Sequence, residues 1–86
     1  MIGCEDESLM HALKIVRREY DKAVQKHPEF PAGGLAVCII AEELGELAKE
    51  YNDSTIRHYP DRAITEAAHV AVTAIRTMEM LKGKML

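Results

Sequence analysis

The sequence predicts an all-α protein, and three observations carry that reading. Apolar residues recur at helical spacing in three long segments. Two short stretches rich in breakers separate them: residues 27–34 (HPEFPAGG) and residues 52–61 (NDSTIRHYPD). No segment alternates apolar and polar residues as a half-buried strand does. Three helices of these lengths make a thin bundle, and pairing of chains into a larger one is the expected completion.

The first helix is expected over residues 6–26. Leu9, Leu13, Val16, Tyr20 and Val24 fall on one face of it. Acids at its start, and Lys22, Lys26 and His27 at its end, suit the helix dipole. Pro28 then stops it. The second is expected over residues 35–51, with a stripe of Val37, Ile40, Leu44, Leu47, Ala48 and Tyr51. Its first half, LAVCIIA, is apolar on every side, which predicts burial on every side. That places the helix centrally or in a contact between copies, with Cys38 buried inside the run. The third runs from 61 or 62 to 81, with Gly83 as its stop. Ala63, Ala67, Val70, Ala71, Ala74, Met78 and Leu81 are its expected core side.

Composition narrows the class. The 86 residues suffice for one domain, residues 1–86. Eleven basic against 14 acidic residues give a net charge of −3, which argues against a partner nucleic-acid polymer. A 48% hydrophobic and 29% charged content is that of a folded chain. The longest wholly apolar run, residues 35–41, is far too short for a membrane span. Acids near the start and the lack of an apolar leader point to the cytoplasm. Cys4 and Cys38 have no metal or redox spacing and read as reduced thiols.

The chemistry lies in the acids. In AEELGELAKEYND, with Glu43 set at zero, Glu46 falls at roughly 300° and Glu50 at roughly 340°, on one side of the helix. Apolar surface borders that side. Like charges at these spacings cost a few tenths of a kcal/mol each, roughly, and a cation would relieve them. The third helix repeats the pattern. Between Ala63 and Ile75 its only ionisable groups are Glu66 and His69, again at i, i+3. Facing helices would bring Glu43/Glu46 and Glu66/His69 together, an arrangement suited to Mg²⁺. The imidazole of His69 favours softer ions such as Mn²⁺, Co²⁺ or Zn²⁺.

These residues resemble a known family. GGLAVCIIAEELGELAKEYND is similar to the metal-binding helix of the MazG-like, all-α nucleotide pyrophosphohydrolases, a superfamily that includes the dimeric dUTPases. Their signature is ExxE followed by ExxD. Glu43–Glu46 matches the first half, and Glu66-Ala67-Ala68-His69 aligns with the second, with His69 where the family has Asp. The resemblance covers roughly residues 9–82. It implies a Mg²⁺-dependent homodimer or homotetramer that cleaves a nucleoside triphosphate to the monophosphate and pyrophosphate. Glu43, Glu46 and Glu66 would then hold the metal, and His69 would join them by position.

Further roles follow from that chemistry. Glu42 or Glu46 is the candidate to take a proton from the attacking water. Arg57, His58, Arg62 or Arg76 would meet the outer phosphates, and Phe30, Tyr51 and Tyr59 are aromatics that could stack on a base. The departure at His69 sustains a rival expectation: a weak or non-catalytic helical module that binds a nucleotide or a protein.

Overall fold

The computed structural model describes residues 2–30, 34–52 and 60–85. Three helices, and no strand, occur among them: α1 (Ile2–Lys26), α2 (Gly34–Asn52) and α3 (Asp61–Met85). Of the two breaker stretches, residues 27–30 and Pro60 lie outside the helices, whereas Gly34, Asn52 and Asp61 belong to them. Two helix bounds differ from expectation. α1 already begins at Ile2, and α3 continues through Gly83. A glycine inside a helix costs only about 1 kcal/mol relative to alanine, so one residue does not end a long helix.

Helix α3 is the middle element. Both α1 and α2 pack along it, while α1 and α2 barely meet. Of the two places expected for α2, central or in a contact between copies, the central one belongs to α3. Ala36 of α2, with Ala68 and Val72 of α3, forms the fully buried apolar core. Small side chains there let the backbones approach closely.

Which faces are buried differs from the sequence reading. On α2, Ala36 is buried and Ile39, Ile40, Glu43, Leu47 and Glu50 are half-buried. Val37, Leu44, Ala48 and Tyr51 are exposed, and so is Cys38. The carboxylate side of α2 thus turns toward α3 and the leucine side turns out. A segment that is apolar all round does not fix its own rotation, which explains the difference. On α1, Val16, Tyr20 and Val24 are half-buried as expected, but Leu9 and Leu13 are exposed. On α3, Ala67, Met78 and Leu81 are exposed, while Thr73 and Arg76 are buried instead.

The resulting layer is open. It exposes 6829 Å², where a compact monomer of 9.6 kDa exposes about 5,100 Å². Its radius of gyration is 14.5 Å, against about 12 Å for a compact chain of this length.

Buried polar groups join α1 to α3. Arg76 Nη2 donates to the carbonyl of His27 at 2.6 Å, with longer contacts to Pro28 O (3.4 Å) and, from Nη1, to Ala23 O (3.5 Å). The guanidinium also lies 5.1 Å from the centre of the Phe30 ring. A cation placed at the carbonyl end of α1 offsets the negative pole of that helix. Beside it, the Tyr20 hydroxyl donates to the Glu79 carboxylate at 2.9 Å. Thr73 and Thr77 donate back to their own helix, to Val70 O and Thr73 O.

Arg76→Ala is expected to destabilise the fold by about 2–3 kcal/mol, because it removes a buried side chain and its charge-assisted hydrogen bonds to the end of α1. At about 4–8 °C per kcal/mol for a chain this small, Tm should fall by about 10 °C or more. A thermal melt shifted by only a degree or two would show that the cap contributes little.

Candidate metal centre

Three helices converge on one polar cluster. α2 supplies Glu43, and α3 supplies Glu66 and His69. One oxygen of each carboxylate and a ring nitrogen of His69 all lie within 4.8 Å of one another. His69 Nδ1 is 3.6 Å from Glu43 Oε2 and 3.5 Å from Glu66 Oε2. Its other nitrogen, Nε2, lies 3.0 Å from Glu19 Oε1 on α1. Glu19 Oε2 accepts from Lys22 Nζ at 3.1 Å and makes a longer contact of 3.5 Å with Arg18 Nε.

The spacing on each helix makes this convergence possible. Glu66 and His69 are one turn apart and leave α3 on the same side. Glu43 belongs to the series 36, 39, 40, 43, 47 and 50 that faces α3. Glu19 sits within the inward series 15, 16, 19, 20, 23 and 24 of α1. It is therefore a carboxylate on an otherwise largely apolar face.

The electrostatics differ across the cluster. Glu19 has a side-chain exposure of only 7%. Burial pushes its carboxyl up, but hydrogen bonds from His69 and Lys22, with the charges of both, outweigh burial and hold it below the ordinary carboxylate range. Glu43 shifts the other way. Burial raises it, and the neighbouring Glu66, Glu46 and Glu42 carboxylates add to that, against the opposing pull of His69. Glu43 is thus a carboxylate whose negative charge is under-compensated.

Two hollows flank the cluster. One, of about 350 Å³, is lined by Glu19, Lys22, Lys26, His27, Glu43 and His69 among others. The other, of about 310 Å³, is lined by Glu50, Asp61, Arg62, Thr65 and Glu66. Each hollow sets cations beside carboxylates: Lys22 and Lys26 with Glu19 and Glu43 in one, Arg62 with Glu50, Asp61 and Glu66 in the other.

The sequence-derived candidates divide clearly. Glu43, Glu66 and His69 come together. Glu46 and Glu42 are exposed on α2 and lie outside the cluster. Arg62 lines the hollow that shares Glu66. Tyr51 is 68% exposed, so the core role suggested by its stripe does not hold in the single chain. Arg76 is buried against α1 carbonyls and Phe30 stacks on it, so neither is free for phosphate or base. Arg57, His58 and Tyr59 lie outside the described residues. Glu19 was not among the sequence-derived candidates, although an acid on the inward face of α1 was a readable signal. Lys22, Lys26 and His27 were read only as dipole partners.

The donor set fits a divalent cation. Two carboxylate oxygens and one imidazole nitrogen are three protein ligands, which leaves coordination positions for water or substrate. The 3.5 and 3.6 Å separations exceed the edge of roughly 3.0 Å of an octahedron with bonds of about 2.1 Å, so the three side chains would have to draw slightly together around Mg²⁺ or Mn²⁺. No protein-family model, curated protein or solved structure matches the chain. The likeness to the MazG-like enzymes therefore rests on the motif residues alone.

Proposed function

We propose that the chain is a divalent-metal-dependent nucleotide pyrophosphohydrolase that cleaves a ribo- or deoxyribonucleoside triphosphate to the monophosphate and pyrophosphate. The observation that carries this reading is the meeting of Glu43 with Glu66 and His69. Two motif halves separated along the chain come together across α2 and α3. Glu43, Glu66 and His69 would hold the ion, Mg²⁺ or Mn²⁺. A bound divalent ion supplies positive charge against the phosphates and makes an attacking water more acidic.

The remaining roles belong to side chains around the cluster. Arg62 on one side and Lys26 on the other would meet the phosphates. Glu46, one turn beyond Glu43, and Glu42 are the free carboxylates nearest in sequence that could take the water's proton. No helix of the described residues is long and apolar enough to cross a membrane.

One observation favours a second reading. Glu46 stays outside the cluster, so three ligands are assembled where the family signature has four acids. A binding module that retains the site without turnover is consistent with that.

The product assay separates the two. The purified chain, incubated with a panel of nucleoside triphosphates in Mg²⁺ and in Mn²⁺, is expected to release monophosphate and pyrophosphate from at least one. Glu43→Gln should lower that rate by more than the roughly 10–100-fold that disturbing a supporting residue costs. Absence of product in both metals, with the ion bound, would favour the binding module.

The same reading includes self-association. Val37, Leu44 and Tyr51 on α2, and Met78 and Leu81 on α3, are large apolar side chains left more than half exposed. A second copy would cover such surface, at a gain of about 25 cal/mol for each Å² of apolar area removed from water. Sedimentation equilibrium should give at least twice the 9.6 kDa chain mass. Leu44→Glu should shift the population toward monomer, and a native chain that sediments as a monomer at tens of micromolar would contradict the assembly.

A further inference from the structure

We propose that Glu19 is a positioning residue for His69, fixing the ring so that Nδ1 is the nitrogen offered to the cation. The inference rests on the reading of Glu43, Glu66 and His69 as a divalent-cation site and goes beyond it, because Glu19 holds no ion itself. It also brings α1 into a site whose direct ligands come only from α2 and α3.

The geometry supports this in three ways. First, the Nε2 to Oε1 distance of 3.0 Å is that of a good hydrogen bond. A carboxylate oxygen accepts, so a hydrogen bond at this distance calls for a proton on Nε2. A neutral imidazole with its proton on Nε2 carries its lone pair on Nδ1, and only a lone pair binds a metal. Second, Nδ1 faces Glu43 and Glu66 at 3.6 and 3.5 Å, at or beyond the limit of a useful hydrogen bond. Third, Glu19 is itself held. Its second oxygen accepts from Lys22 at 3.1 Å, and its side chain is only 7% exposed. A carboxylate gripped from two sides can fix a ring, whereas a solvated one would swing.

The chemistry follows a general pattern. A metal-bound imidazole commonly donates its other N–H to a carboxylate, which fixes the tautomer and makes the ring a stronger donor. Loss of such a partner costs about 10–100-fold in metal affinity. A purely structural Glu19–His69 pair would instead hold α1 on α3 and leave cation binding unchanged in a folded variant.

The test uses Mn²⁺ as the affinity probe and Zn²⁺ as the spectroscopic one. Mn²⁺ binding is followed by electron paramagnetic resonance in the native chain, in Glu19→Ala and in Glu19→Gln. The ring nitrogens of His69 are assigned by ¹⁵N NMR in the Zn²⁺-loaded native chain, with His69→Ala identifying the signals. Glu19→Ala is expected to weaken Mn²⁺ by about 10–100-fold. Glu19→Gln keeps an oxygen acceptor for Nε2–H and should recover part of that loss. Zn²⁺ should sit on Nδ1 with the proton retained on Nε2, an outcome readable on the native chain even where the alanine variant does not fold. Zn²⁺ on Nε2, or native affinity in a folded Glu19→Ala, would overturn the role of Glu19 and leave the cation site standing. A native chain that binds neither ion would overturn the site, and the role of Glu19 with it.

Discussion

Helix α3 must satisfy two neighbours at once, because α1 and α2 meet almost only through it. That constraint sets the character of the interior. A helix packed on both sides has little room for large side chains, and its fully buried apolar partners are small: Ala36, Ala68 and Val72. Polar couplings supply much of the specificity between α1 and α3. His69 meets Glu19 at 3.0 Å, and Arg76 meets the His27 carbonyl at 2.6 Å, two turns further along α3. Buried charges are costly unless paired and hydrogen-bonded. Glu19 and Arg76 have the partners that burial demands, and those partners fix how α1 lies against α3. Glu43 has no lysine or arginine partner of that kind, and burial together with the neighbouring carboxylates pushes its carboxyl up.

Much of the fold was legible in the sequence. Three helices with breakers between them follow from spacing and from two Pro- and Gly-bearing stretches. Glu43 meets the Glu66/His69 pair as expected of helices joined by a connection of about ten residues, but Glu46, expected beside Glu43, stays exposed. Rotation was not legible. LAVCIIA offers every side to the core, so periodicity alone leaves the orientation of α2 open, and packing on α3 turns Glu43 inward and Leu44 outward. Glu19 was hidden for a different reason. Its role depends on a partner 50 positions away, and local spacing shows only that an acid interrupts an apolar face. Arg76 looked like a surface cation because nothing in its own helix shows that the end of α1 lies against it.

The outward leucine side of α2 is the counterpart of that rotation. By turning its carboxylates toward α3, the helix leaves Val37, Leu44 and Tyr51 uncovered. A chain of this size buries a modest share of its surface even when compact, and this one is more open than that. The cluster and the outer apolar face are thus linked through one variable, the angle at which α2 sits on α3. Covering the outer face would hold that angle and, with it, the distance from Glu43 to the two groups on α3.

The most direct test of the account is anomalous diffraction from crystals of the native chain grown with saturating Mn²⁺. The account predicts one strong peak within bonding distance of Glu43, Glu66 and Nδ1 of His69, with Glu19 still hydrogen-bonded to Nε2. A peak on the exposed acids of α2 instead, with the Glu43, Glu66 and His69 cluster empty, would contradict it.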